Sequence, residues 1–421
     1  MFVTPPDARL RDRVAACFAG HPPPRLGVAV SGGSDSLALL HLLHDWQRAG
    51  GPALAAVTVD HGLRPEAGAE AAEVAHICAR LNVPHHTLHW QGCGGSGNLP
   101  DRARRARYTL MSDWAAAQGL TDIAIGHTQD DLAETFLMRL ARGAGVDGLA
   151  AMRPRWTQEG VTFHRPLLGL AREALRDHLR GLRQTWIDDP TNVDTSYLRP
   201  RAREILAALA PLGLDAATLA EVAYNLSDAR TALSHTTHAA ARTLTRGEAG
   251  DLLIDHAGFA NLPDEIARRL LHGALQWLTG AEYPPRGAAL SALLAAARAG
   301  QTMTLQGGLL LPAKSGHLRL TREYDAVKDL RTPATALWDT RWQAIGPSDP
   351  ADIEIAALGP AGLSACPDWR LSGLPHASAL ATPGLWQGDS LIAAPLMGWP
   401  NGWALTLRRD RDNLLMALLS H

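Results

Sequence analysis

Six consecutive residues, Ser31-Gly32-Gly33-Ser34-Asp35-Ser36, interrupt the apolar run LGVAV before it resumes as LALL. Glycines there let backbone N–H groups turn toward a ligand with no Cβ in the way. A helix starting behind them offers unpaired N–H groups and a partial positive charge, an arrangement that suits phosphate. Ser31, Ser34 and Ser36 add hydroxyl donors. Asp35 is the discordant member, because a carboxylate repels phosphate unless a cation lies between them, and Mg²⁺ resolves that conflict. The stretch holds no lysine, so it is not a Walker loop, and it is not Gly-x-Gly-x-x-Gly. A glycine-rich turn with a serine cap is the plain alternative. All six positions, placed after a strand and before a helix, favour phosphate.

Acids and arginines form further candidates. Asp130 and Glu134 are four apart and share one helix face, with Asp131 about a quarter turn away. Like charges at that spacing call for a cation, either Mg²⁺ or a substrate ammonium. Stabilisation of a helix start accounts for Asp130 and Asp131 equally well, and for Glu134 less well. His127 ends a strand and reads as a ligand contact or as a core histidine. Asp60 and His61 end another strand and read as a crevice pair or as a turn. Arg102, Arg104, Arg105 and Arg107 crowd a turn and a half of helix, where phosphate or RNA backbone would relieve their repulsion; for Arg102 and Arg105 a solvated face serves as well. Asp188, Asp189, Asn192 and Asp194 surround a proline turn, followed by Arg199, Arg201 and Arg203. Pro200 biases Arg199 toward extended backbone.

These residues need a scaffold, and the spacing supplies one. Residues 25–30, 53–62, 84–90 and 122–127 read as strands. Residues 36–50, 67–83, 101–119 and 128–143 read as helices. Strands alternating with helices at this pitch predict an α/β fold with a parallel sheet flanked by helices. Polar residues gathered after the strands are where such a sheet binds ligands. From about residue 215 the chain turns alanine-rich and helical, then passes into a hairpin with Gly307–Gly308 and Gly316 at its turns. Beyond 326 it is rich in proline, glycine and tryptophan. The expected division is 1–212 for catalysis, 213–325 as a helical part and 326–421 as a small α+β or β module.

At 421 residues the chain is too long for one core. No window holds the roughly 18 apolar residues of a membrane span, and the first residues lack the order of a secretory signal. Its four cysteines form no Cys-x-x-Cys pair, which argues against a zinc knuckle or iron–sulfur cluster and fits a reducing cytoplasm. The net charge of −2 means that any nucleic-acid surface is local.

The six-residue loop resembles the pyrophosphate loop of the PP-loop ATP pyrophosphatases, whose sheet is Rossmann-like. The order of motifs narrows the resemblance. Asp-His-Gly-Leu-Arg follows at 60–64, Ala-Arg-x-x-Arg-Tyr at 103–108 and Gly-His-x-x-Asp-Asp-x-x-Glu-Thr at 126–135. Arg-Gly-x-Gly-x-x-Gly-Leu then stands at 142–149, Arg-Pro-Leu-Leu at 165–168, and last comes Asp-x-x-Asn-x-Asp with trailing arginines. Over residues 24–210 this is similar to the tRNA(Ile)-lysidine synthetase family, with Leu132 where the family often has glutamine. The resemblance implies that ATP adenylates C2–O of the wobble cytidine in a CAU-anticodon tRNA(Ile), and that free L-lysine displaces AMP to give lysidine. It implies that Ser31 to Ser36, with Asp35 on Mg²⁺, hold the pyrophosphate, and that Asp60, His61 and His127 lie near the nucleotide. Asp130 and Glu134 would bind the lysine amine and help remove its proton, with the choice of base left open. Arg104 and Arg107 would face phosphate charge, and Arg201 and Arg203 would contact the tRNA. No membrane is implied, and a homodimer is among the assemblies left open. A tRNA thiolase, an amide synthetase and a non-catalytic RNA binder are the rivals. Missing paired cysteines, a missing glutamine-hydrolysing motif and the intact carboxylates speak against each in turn.

Overall fold

Side chains alternate across a strand, so LGVAV must send leucine and valines to one side and glycine and alanine to the other. The computed structural model describes residues 6–62, 65–92, 99–188, 198–281, 283, 285–313, 316–347 and 352–419, and both faces of that strand are covered in it. The chain divides into two compact units, Met1–Asp228 and Ala229–His421. The first unit runs α1 (Pro6–Ala16), β1 (Arg25–Ala29), α2 (Ser34–Arg48), β2 (Ala53–Asp60), α3 (Ala67–Arg80), β3 (His85–His89), α4 (Leu99–Gln118), β4 (Asp122–Ile125) and α5 (Gln129–Leu140). It continues through α6 (Val146–Leu149), β5 (Arg155–Gln158), β6 (Val161–His164), α7 (Arg172–Gly181), α8 (Leu198–Leu209) and into α9 (Ala216–Leu244).

Its six strands stand in the order β3-β2-β1-β4-β6-β5. All neighbours pair in parallel except the edge hairpin β5–β6. Leu26, Val28 and Val30 bury against Leu37, Leu40 and Val74 of α2 and α3 and Leu175 of α7. Ala29 turns to the other face, with Met111 and Trp114 of α4 and Ile123 and Ile125 of β4. Gly27 allows that layer to close, since a Cβ there would lie 3.0 Å from Ile123 and 3.1 Å from Trp114. The strand order reverses beside β1, so the carboxyl ends of β1 and β4 flank the crevice where such sheets take ligands. The strands and helices expected up to residue 143 all form, with ends shifted by a few residues. The β5–β6 hairpin was not foreseen.

In the second unit β7 (Thr245–Glu248), β8 (Asp251–Asp255), β9 (Met303–Leu305), β10 (Gly308–Ala313) and β11 (His317–Arg322) form an antiparallel sheet in the order β7-β8-β11-β10-β9. Helices Asp264–Thr279 and Gly287–Arg298 share its core. The stretch expected to be mainly helical thus carries a sheet as well. Thr245 to Asp255 forms a hairpin because Ala249 and Gly250 both take positive φ at its turn. Residues after 326 contribute short antiparallel strands, a four-stranded sheet and a two-stranded one, around Trp338, Trp342 and Trp403. Among the described residues no single helix is long and apolar enough to cross a membrane.

Candidate functional site

Gly33 caps α2 with extended backbone and no side-chain hydrogen bond, so the first-turn amides of α2 remain available to a ligand. The loop before it is held by its own hydroxyls. Ser36 Oγ accepts from the Ser31 amide at 3.1 Å, lies 3.2 Å from Ser31 Oγ and donates to the Gly33 carbonyl at 3.0 Å. Gly32 has φ +86°, and its carbonyl accepts from the Ile187 amide at 2.9 Å, tying the loop to the chain that leads toward α8. Gly126, at the end of β4, brings the two strand ends together: a Cβ there would lie 3.1 Å from the Asp35 backbone.

A cavity of about 910 Å³ opens at this point. Ser31, Gly33, Ser34, Asp35 and Ser36 line it together with Arg107, His127, Asp130, Asp131, Glu134, Arg172, Arg199 and Arg203. The loop and the acidic helix, nearly a hundred residues apart in sequence, therefore share one space. Asp60 and His61 are not in that lining. Asp60 accepts from the Gly62 amide at 2.8 Å and closes a turn. His61 packs edge-on to Trp90, and burial followed by the Arg107 charge holds its imidazole below the ordinary range. Arg104 and Arg201 are exposed and also lie outside the lining. Asp189, Asn192 and Asp194 fall outside the described residues.

The acids are organised by Arg172, a residue the sequence reading did not single out. Its Nε donates to Asp35 Oδ2 at 2.9 Å, its Nη1 to Glu134 Oε1 at 3.0 Å and its Nη2 to Asp131 Oδ1 at 3.2 Å. Its backbone amide, at the start of α7, donates to Asp130 Oδ2 at 2.7 Å. A planar guanidinium within the chain, whose fork spans several carboxylates, thus offsets part of this like charge, where Mg²⁺ or a substrate ammonium was the expectation. Arg203 Nε adds a second bond to Glu134 Oε1 at 2.7 Å. Glu134 is 1% exposed, and its other oxygen, Oε2, is buried with no hydrogen-bond partner among the described residues. No periodicity marks Arg172; only the fold brings α7 beside α2 and α5.

Local charge sets the protonation states. Burial pushes the Asp35 carboxyl above its usual value, against the Arg172 charge. Burial also raises Asp131, but Arg172 and the Thr128 cap outweigh it and leave that carboxyl below the ordinary range. Burial drives His127 down to about 3. Its Nδ1 accepts from Arg165 Nε at 3.0 Å, which leaves the neutral ring with its proton on Nε2. Arg107 and Arg199 carry no carboxylate partner among the described residues, and burial, then neighbouring arginines, lower the Arg107 guanidinium. Pro200 does not hold Arg199 extended. Arg199 is helical in α8, because proline in a first turn removes an N–H that has no helical acceptor.

The donors suit Mg²⁺ in one mode. Among the described residues no cluster of three or more metal-ligating side chains exists. Asp35 Oδ1 takes the Ser34 hydroxyl at 3.1 Å and Oδ2 takes Arg172, and each oxygen keeps a further lone pair. One carboxylate, with phosphates and water completing the shell, is how Mg²⁺ is commonly held.

The PP-loop domain family matches residues 6–209. Over 412 residues the chain is 51% identical to the tRNA(Ile)-lysidine synthase of Ruegeria pomeroyi, covering 98% of each. It is 42% identical over 282 residues to the tRNA(Ile)-lysidine synthase of Bradyrhizobium diazoefficiens, covering 65% of this chain and 78% of that one. Among solved structures, a U34-tRNA thiolase from Methanococcus maripaludis superposes with a TM-score of 0.46 at 17% identity, over 52% of this chain and 79% of that one.

Proposed function

The chain belongs to the tRNA(Ile)-lysidine synthase family, and from that premise we propose that it joins free L-lysine to C2 of the wobble cytidine of a CAU-anticodon tRNA(Ile), with ATP leaving as AMP and pyrophosphate. One observation carries the reading: the Ser31–Ser36 loop lines the same cavity as Asp130 and the buried, half-partnered Glu134. A triphosphate site and an amine site in one space are what adenylation followed by displacement requires.

In the first step the cytosine C2 oxygen attacks the α-phosphorus of ATP, and the bond to pyrophosphate breaks. The loop amides and the hydroxyls of Ser31, Ser34 and Ser36 receive the departing phosphates. Asp35 would hold Mg²⁺, which supplies neutralisation of phosphate charge when bound. Arg107 and Arg199, without carboxylate partners, face charge developing on the α-phosphate side, and His127 offers its Nε2 proton as a neutral donor.

In the second step the lysine ε-nitrogen attacks C2, the C–O bond to AMP breaks and the nitrogen loses a proton. An amine of ordinary pKa near 10.4 must first be deprotonated. Glu134 Oε2 and the second oxygen of Asp130 are the acceptors the site provides. Arg172 and Arg203 position Glu134 through its other oxygen. Residues 213–325 and 326–421 grip the tRNA in this reading, the reaction runs in the cytoplasm, and light scattering with and without tRNA decides whether two chains work together.

Incubation with ATP, labelled lysine and a CAU-anticodon transcript tests it. Lysine-dependent pyrophosphate release with label fixed in RNA is the expected result. Release without lysine would assign a different adenylating reaction, and no release would leave only RNA binding.

A further inference from the structure

Outside the cavity a chain of contacts leads from its wall to the surface. Arg165, which holds His127, lies with its Cζ 3.9 Å from the centroid of the Trp156 ring. Trp156 meets the Tyr108 ring edge-on at 5.5 Å between centroids. The Arg104 guanidinium sits 5.2 Å from the Tyr108 ring centroid and is exposed. Arg139, at the end of α5, is exposed as well and donates to the Gly148 carbonyl at 2.9 Å. None of Arg104, Arg139 and Arg165 has a carboxylate partner among the described residues.

Arginines kept apart from acids repel each other. After burial, the Arg104 charge lowers Arg139, and Arg104 and Arg139 help to bring Arg165 down to about 10. In a chain whose net charge is −2, arginines gathered without a carboxylate partner among the described residues make a local anion site. Tyr108 is buried and Trp156 half-buried, so these rings back the arginines and the exposed guanidiniums are what a phosphate backbone would meet.

We infer that the face of α4 and the end of α5, through the exposed Arg104 and Arg139, bind the RNA backbone beside the target nucleotide, with Trp156 stacked on the buried Arg165 as the support behind them, so that RNA enters the cavity past His127. This rests on the proposed function for the identity of the RNA and adds the surface and the direction of entry. The track ends at a cavity wall, as a strand delivering one base to it must.

The test uses the full chain and a CAU-anticodon transcript, with binding measured by filter retention from 50 to 300 mM salt. Arg104→Ala/Arg139→Ala should weaken binding at least tenfold and reduce the slope of log K against log salt by about 2, one for each phosphate contact. Arg104→Lys/Arg139→Lys should keep most of the slope, which separates charge from folding. At saturating RNA the KM for ATP should stay within twofold of the parent value. An unchanged affinity and slope in the alanine variant overturns the inference. So does a rise in the ATP KM with RNA binding intact, which would make the track a nucleotide site. RNA binding is read without turnover, so a parent chain that binds but fails to attach lysine counts against the proposed reaction and leaves this surface standing.

Discussion

Arg172 Nε donates to Asp35 Oδ2 at 2.9 Å, across 137 residues of sequence. That bond joins the phosphate loop at the start of α2 to the acidic face of α5 through the first residue of α7. Removing the guanidinium strands several acids at once. Arg172→Ala should cost about 3–5 kcal/mol, the range for breaking a buried ion pair, and should abolish lysine transfer. Arg172→Lys supplies a point charge without the planar fork, so it should recover more stability than turnover. Thermal melts alongside turnover read both, and an unaltered melt for the alanine variant would refute the organising role.

Glu134→Gln keeps the shape and removes the charge that Arg172 and Arg203 share. Its amide group would be left facing a guanidinium or the cavity itself. The expected result is a raised KM for lysine together with a fall in kcat, while lysine-independent formation of adenylated RNA persists. A lysine saturation curve decides it; an unmoved KM would take Glu134 out of the amine site.

Asp35→Asn retains the hydrogen-bonding outline of the loop but loses the only acid within it. Turnover should fall about 100-fold or more, as it does when one group that stabilises developing charge is lost. The Mg²⁺ concentration giving half-maximal rate should rise. A variant with parental turnover and parental Mg²⁺ dependence contradicts the role given to Asp35.

At Gly32 two obstacles meet any side chain. Its φ of +86° is strained for an L residue, and a Cβ would stand 2.6 Å from Ile187 Cδ1. Gly32→Ala should raise the KM for ATP about tenfold, equivalent to ~1.4 kcal/mol. Gly32→Ala/Ile187→Ala should recover only part, because it removes the collision and leaves the backbone strain. Full recovery in the double variant would show that strain plays no part.

Acid should destabilise the fold through its histidines. His127 is held at about 3 in the folded chain against an ordinary 6.5, so the unfolded chain takes up the proton first. The stability from keeping it neutral is complete above 6.5 and is lost as pH falls from there toward 3, at up to about 1.4 kcal/mol per pH unit. His41, lowered to about 4 chiefly by burial, acts in the same direction. Asp131, held low, adds stability above 3.8 that is lost as pH falls through its folded value. Asp35, pushed up, works oppositely: its contribution is largest below 3.8 and is lost as pH rises through its folded value. Urea midpoints at pH 7 and pH 5 should therefore fall with acid, and His127→Gln should flatten the fall.

Local chemistry made much of this legible. The strands and helices up to residue 143 follow from periodicity, and so does the placing of the 31–36 loop at a strand end and of Asp130 and Glu134 on a helix that lines the same cavity. Arg172 was illegible because its meaning lies in partners 38 to 137 residues away. Arg199 was misread because the rule for a residue before proline yields to the first turn of a helix. The hairpin at 245–255 was hidden by alanine-rich helices on both sides, and its signal was Ala249–Gly250 alone. The Trp156–Arg165 stack needed the β5–β6 pairing, which no motif announces.

Arg172 gives Asp130 its main-chain amide and three other acids its side chain, so the phase of one helix is written into the site twice. A single residue inserted between Leu170 and Arg172 would swing the guanidinium by about 100° around the helix axis while the backbone hydrogen-bond ladder of α7 survived. The same turn would carry Leu175 and Leu179 off the core they share with α2, so the carboxylates would lose their common partner and the helix its packing together. The length of that connection is therefore fixed by the site and by the core at once.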